Sequence, residues 1–459
     1  MAGIGFALRK LARRDDLLGI LQGYAHSALV SAGPWVFTVL SLAGISLIAE
    51  PSMAVEELNT FRLVVIYNFA FSLVGTGPVL MVATRYLADQ IFLKKVDGVV
   101  GMFLGELGIL CTVQFPVVAG FYFVYIDAEP SIQYLAVANY MVVTGIWLVG
   151  IFLTALKDYA AITFAFFIGM VTAGVSALLL APAWGAAGLL IGFTAGLAVI
   201  LFALTARLLS EYPYKVEQPF AFLSYFGKFW ELSVAGLVLN LAIWVDKWVM
   251  WFAPERDLRV TGFISYPDYD TAMFLAYLTV IPAIAGFIVS VETSFFERYL
   301  RFYRDIQRHA TFAQIEDNQR NLVSTVMRGL RNLVVLQGSV TFLAIVLAPR
   351  FIAAFGLPAS QLGMLRIGML GSFFHALTIS LAVFLAYFDL RKPMLLVYAV
   401  LLTTNLVFSL ITMHMGFPYY GYGYFLSALA SFATAVLVLA YYLDRLPYLT
   451  FVRSNTSVQ

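Results

Sequence analysis

Between Asp158 and Arg207 the chain reads YAAITFAFFIGMVTAGVSALLLAPAWGAAGLLIGFTAGLAVILFALTA (residues 159–206), without one Asp, Glu, Lys or Arg. A bilayer core roughly 30 Å thick is crossed by about 20 helical residues, so this run is long enough to cross twice. Its middle holds Pro182-Ala183-Trp184-Gly185. Proline ends a helix, glycine takes backbone angles closed to other residues, and tryptophan settles at the membrane–water interface. The stretch therefore predicts two membrane helices, at 159–181 and 184–209, joined by a tight turn at one face.

The rest of the chain follows the same pattern. Hydrophobic residues make up 61% and charged ones 12%, against roughly 45–50% and about 25% in soluble domains. Further apolar blocks predict spans at 20–49, 59–84, 99–123, 132–155, 223–252, 272–296, 327–348, 365–388, 393–415 and 422–443. The chain is thus an all-α integral membrane protein of about twelve helices.

The basic residues test that number. Short loops on the cytoplasmic side of a bacterial inner membrane collect Lys and Arg. Of the 28 Lys and Arg residues, only Arg62, Arg256, Arg259, Arg350 and Arg366 fall on the side opposite the N-terminus, and Lys247 falls inside a span. A miscounted span would invert every later loop and erase this bias. Twelve spans with both termini cytoplasmic is the expected arrangement. No secretory signal peptide is visible, because the first apolar run lacks a cleavage site. The opposite loops lean acidic, with Glu50, Glu56, Glu57, Asp127, Glu129, Glu255, Asp257, Asp268 and Asp270. They read either as ordinary loop solvation or as a mouth that attracts a cationic product.

A second Pro-x-aromatic-Gly turn, Pro418-Tyr419-Tyr420-Gly421, separates spans eleven and twelve, and Asp158 and Asp389 precede spans five and eleven. Pro78 and Pro282 recur at nearly the offset between spans one and seven. These correspondences predict two pseudo-symmetric six-helix lobes, 20–209 and 223–443. Around them lie a cytoplasmic amphipathic segment 1–19, a linker 210–222, a basic segment 297–326 within the second lobe, and a tail 444–459. Gly185, Gly188, Gly192 and Gly196 at helical spacing read as close helix packing.

Ionisable groups at membrane depth are costly and mark functional hypotheses. Glu106, Glu231, Asp246, Lys247, Glu292 and His375 are the candidates, with the amide of Asn240 beside them. Glu231, Asn240 and Asp246 on span seven read as one polar face, lining a lumen or meeting other helices. Asp246 and Lys247 point about 100° apart, which predicts that they do not pair across one face. Trp35 and Tyr67 could stack on sugar rings, although aromatics in spans more often serve the core or face lipid. The segment ERYLRFYRDIQRH (297–309) reads as an amphipathic basic helix. Its Arg298, Arg301, Arg304 and Arg308 suit anionic headgroups or a docking partner better than nucleic acid. No nucleotide-binding loop, zinc motif, nucleophile elbow or cysteine cluster occurs, so no catalytic residue, metal or cofactor is expected and the chain reads as a transporter rather than an enzyme.

The twelve spans, the two-lobed repeat and the P-x-[WY]-G turns resemble the MOP superfamily of flippases and exporters. More narrowly, MAGIGFALRKLARRDDLLGILQGYAHSALVSAGPW (1–35) resembles the PelG family of membrane transporters of the Pel exopolysaccharide system. The resemblance implies export of a growing, N-acetylgalactosamine-rich, partly cationic polysaccharide across the bacterial inner membrane. It also implies a complex with PelD- and PelE-type membrane proteins and a PelF-type cytosolic glycosyltransferase. Two other readings stay open: a lipid-linked oligosaccharide flippase or cation-coupled drug exporter on the same fold, and a non-conducting scaffold for a polysaccharide synthase.

Overall fold

The computed structural model describes residues 17–156, 158–213, 215–258, 262–354 and 356–454; the side chains of residues 17–32, 292, 293 and 452–454 lie outside the described set. The expected amphipathic segment 1–19 thus falls almost entirely outside it, as does the side chain of Glu292.

Among the described residues, ten helices are long and apolar enough to cross a membrane. One of them, Tyr159–Glu211, runs for 53 residues and breaks at Gly185, where φ is 55° and ψ is −134°. It therefore holds two crossings. The first apolar run is the helix Leu17–Ala49. Together these give the twelve crossings read from the hydrophobic blocks, and the protein is a multi-pass, all-α membrane protein.

In chain order the spans are one, Leu17–Ala49; two, Val55–Phe92; three, Val99–Tyr125; four, Pro130–Leu156; and five and six within Tyr159–Glu211. Seven is Trp230–Met250, eight Pro267–Ser290, nine Phe312–Ala354, ten Gln361–Tyr387, eleven Arg391–Met415 and twelve Phe417–Asp444. A short antiparallel pair, with Asp257 opposite Ser265 and Leu258 opposite Ile264, links spans seven and eight.

Local chemistry explains the breaks. Asp158 caps the start of span five by accepting from the Ala161 amide at 3.2 Å, and its other oxygen takes Arg207 Nε at 2.6 Å. Carboxylate capping of this kind satisfies an amide that has no partner within the helix. Span eight is two helices, Pro267–Leu278 and Ile281–Ser290, with Pro282 in the first turn of the second. Pro34, Pro78 and Pro116 sit inside continuous helices, while Pro182 lies three residues before the break at Gly185.

The chain divides into two compact units, residues 32–244 with 251–266, and residues 1–31, 245–250 and 267–459. In the first unit, spans five and six approach backbone to backbone. A Cβ on Gly192 would strike the Ala177 amide, and one on Gly196 would strike the Gly169 carbonyl. The glycine ladder after the turn is thus close packing, as read. Spans two and seven also touch through glycine, since a Cβ on Gly236 would meet the Gly77 carbonyl. In the second unit, spans eleven and twelve meet likewise, with Gly423 set against the Ser409 backbone at 2.6 Å from where its Cβ would lie. Close backbone approach through small residues suits helices in lipid, where burying apolar surface against apolar solvent gains little.

The basic segment is not a detached surface helix. Span eight continues through a π-turn, Val291–Phe295, into the helix Phe296–Gln307, which packs along the first turns of span nine. Phe302 anchors the packing at 0% exposure, while Arg301, Arg304 and Arg308 lie exposed. Asn318 donates to Asp305 across this hairpin. The chain reverses at His309, which takes a left-handed φ of 53°.

Candidate functional site

The second unit contains a polar cluster at membrane depth, built around Asp246 near the end of span seven. Its side chain is fully buried. Tyr269 Oη donates to the carboxylate at 3.1 Å and Asn405 Nδ2 at 3.4 Å. Lys247 Nζ lies 3.2 Å from Oδ2 and 3.3 Å from Oδ1, with its side chain 12% exposed. Ser409 Oγ extends the chain by donating to Asn405 Oδ1 at 3.1 Å. A carboxylate so far from water persists only when charge and hydrogen bonds replace its hydration, and here an ammonium and two neutral donors do so.

The expectation that Asp246 and Lys247 would not pair is therefore wrong. Neighbouring Cβ atoms on a helix diverge, but the four-carbon lysine stem curls back far enough to return its charge to the carboxylate. The ammonium also sits 5.7 Å from the Tyr424 ring centroid, within cation–π range. His375, buried to 1%, closes the cluster. Its Nε2 is 2.9 Å from Tyr277 Oη, and its ring stands 5.9 Å from that of Tyr424. The Nδ1 of His375 has no hydrogen-bond partner among the described residues. The arrangement is a neutralised ion pair rimmed by phenols and an imidazole, with groups suited to hydroxyl and amide recognition.

The single polar face expected of span seven does not form. At 100° per residue Asn240 lies about 180° from Glu231 and about 120° from Asp246. Asn240 Nδ2 donates to the Leu73 carbonyl at 3.1 Å in the first unit, while Asp246 bonds to Tyr269 and Asn405 in the second. Glu231, 7% exposed, opens the helix in its first turn.

The remaining candidates lie in the first unit. Glu106 on span three is fully buried, and neither carboxylate oxygen has a hydrogen-bond partner among the described residues. Gly101 and Gly105 on the same helix press against the carbonyls of Glu217 and Pro219, so the chain at 217–219 lies directly on span three. Tyr67 is pinned elsewhere. Its hydroxyl donates to the Ile264 carbonyl at 2.6 Å and accepts from the Ile264 amide at 3.1 Å, and its ring stacks on Trp251 at 4.8 Å. Trp35 is half-buried.

Two features escaped the sequence reading. Tyr269, Tyr424 and Asn405 complete the Asp246 cluster. A second network joins Asn68, Asn139, Tyr122 and Thr194 in the first unit, with bonds of 2.7 to 2.9 Å. Each includes an asparagine at membrane depth, and that depth was weighed chiefly for ionisable groups. Extending it to amides would have found both. Among the described residues no group of His, Cys, Asp and Glu could hold a metal ion.

The chain matches the PelG family, described as an exopolysaccharide exporter (EPS-E), over residues 1–451. It belongs to that family. No curated protein matches it in sequence. Solved structures share its fold at low identity. A MOP superfamily transporter from Pyrococcus furiosus superposes with a TM-score of 0.61 at 14% identity, covering 93% of this chain and 96% of that one. The Vibrio cholerae MATE transporter VcmN superposes with a TM-score of 0.65 at 11% identity, covering 99% of both chains. A multidrug resistance MATE transporter in its outward-facing conformation gives 0.62 at 14%, covering 96% and 98%. The PelG-family chain thus carries the MOP exporter fold along almost its whole length, and it is a membrane exporter.

Proposed function

We propose that this PelG-family chain exports a growing, N-acetylgalactosamine-rich Pel-type polysaccharide from the cytoplasm to the periplasm of a bacterium. The observation that carries the reading is the family match, which runs through residues 1–451. The MOP fold adds an architecture used for moving solutes across membranes. The bias of basic residues supports an inner-membrane topology with both termini in the cytoplasm. In that orientation the basic hairpin of spans eight and nine meets the cytosol. A PelF-type glycosyltransferase would feed polymer to the exporter there, with PelD- and PelE-type membrane proteins holding the two together. The chemistry is transport and not catalysis. The Asp246–Lys247 pair, already neutral, suits a path for polar, partly cationic sugar units better than an unpaired carboxylate that would hold them fast.

Deleting the chain from a polymer-producing bacterium and restoring it on a plasmid tests the proposal. Secreted N-acetylgalactosamine polymer is expected to vanish on deletion and to return on restoration, while the glycosyltransferase stays active in lysates. Secretion that persists without the chain would refute it. Restored drug resistance or lipid-linked precursor transport, without polymer, would move the chain to the flippase or drug-exporter reading.

A further inference from the structure

The hairpin of spans eight and nine contains a polar cleft of about 390 Å³. One wall comes from the helix leaving span eight, where Ser290, Ser294, Glu297 and Arg298 share a face. The other comes from span nine, where Thr325, Arg328, Gly329 and Asn332 do the same. Residues three and four apart on a helix project side by side, so each wall is one continuous stripe.

Three observations give the cleft a chemistry. First, among the described residues its lining is positive on balance, with two guanidinia against one carboxylate. Among the described residues neither Arg298 nor Arg328 is held in an ion pair. Arg328 makes only long bonds to its own helix, 3.3 Å to the Ser324 carbonyl and 3.4 Å to Thr325 Oγ1. Second, the room exists because position 329 is glycine. A Cβ there would stand 2.8 Å from Ser290 Oγ, inside the cleft. Third, the span-eight wall carries the π-turn Val291–Phe295, a costly insertion that recurs at functional sites.

Its depth is set by span nine. Exposed residues there change from Arg320, Arg328 and Arg331 to Val335 at 63% and Phe342 at 71% exposure. The cleft lies where the charged end of the hairpin gives way to the apolar belt, the level of lipid headgroups.

We propose that this cleft binds a phosphate group through Arg298 and Arg328, with the Ser290 hydroxyl and the Asn332 amide completing the shell. Guanidinium forks match phosphate oxygens in pairs, and hydroxyls and amides supply the remaining donors. Glu297, also on the wall, restricts the site to one phosphate and disfavours polyanions. The depth favours the headgroup of an anionic lipid; a soluble phosphate has the same chemistry.

The test uses the full-length protein in nanodiscs of phosphatidylcholine, titrated with fluorescent phosphatidylglycerol, and separately with UDP and inorganic phosphate. Two charge-matched double variants are compared, R298Q/R328Q and R301Q/R304Q. A third, Gly329→Leu, fills the cleft without changing charge. Phosphatidylglycerol affinity is expected to fall about 10-fold or more in R298Q/R328Q and in Gly329→Leu, the scale of losing one to two charge-assisted contacts. It should fall less than about threefold in R301Q/R304Q. Competition by UDP or inorganic phosphate would name a soluble source, and its absence a lipid one. Equal losses in the two double variants, or full affinity in a folded Gly329→Leu, would overturn the site. Unfolding temperatures of all three variants show which are folded. If Gly329→Leu is not, the comparison of the two double variants decides alone.

Discussion

Asp246 and Lys247 show how one buried charge dictates its surroundings. Removing only the lysine leaves a carboxylate at 0% exposure with two neutral donors. Lys247→Met should therefore destabilise the protein by about 3–5 kcal/mol, the scale for stranding a buried charge. The double variant Asp246→Asn with Lys247→Met should recover much of that loss, because no unpaired charge remains. Thermal unfolding of the purified protein in one detergent checks both, and equal loss in the single and double variants would contradict the pairing. Tyr67→Phe should cost about 1–3 kcal/mol, since it leaves the Ile264 carbonyl without its 2.6 Å donor. At this scale the sequence showed which groups are costly, because charge at membrane depth is visible in a string of apolar letters. It hid their partners. Asn405 lies 159 positions from Asp246, and neither period nor spacing links them. The failed non-pairing rule treated side chains as fixed spokes on a wheel, whereas the lysine bends back. The polar face fails on the wheel itself, which sets Asn240 on a different side of the helix from both Glu231 and Asp246.

The two Pro-x-aromatic-Gly turns are the most legible elements, and the structure gives the reason for their glycines. Gly185 has φ 55° and Gly421 has φ 92°. At Gly185 the φ,ψ pair is closed to L-residues, and a Cβ would also lie 2.5 Å from Glu57 Oε1. Gly185→Ala should cost about 1–3 kcal/mol. Gly421→Ala should cost about 1–2 kcal/mol. Gly174→Ala, at a helical position with open space, should be neutral or slightly stabilising. An unfolding series over the three variants checks the order. Gly236→Val should do more, because its side chain would displace the Gly77 backbone of span two. Spans were legible because length and hydropathy are local. The hairpin of spans eight and nine was not, since amphipathicity is the same for a helix lying on lipid and for one packed on a neighbour through Phe302.

At the level of the whole molecule, the count of twelve spans emerged from charge bias and apolar length together, and the fold followed from them. Orientation follows from the charge bias and has its own test. Alkaline phosphatase fused after residue 127 or 356 should be active, and fused after residue 95 or 215 inactive, in a bacterium with an oxidising periplasm. The reversed pattern would invert the topology. Substrate identity was never legible in spacing or depth, because the cluster groups suit many polar solutes; it rests on the family. The most direct measurement uses inverted inner-membrane vesicles supplied with the cytosolic glycosyltransferase and a radiolabelled UDP-N-acetylgalactosamine donor, followed by a glycosidase added outside. Polymer protected inside the vesicles is expected only when the chain is present. Polymer made in its presence yet fully digested, or equally protected in its absence, would contradict export by this protein.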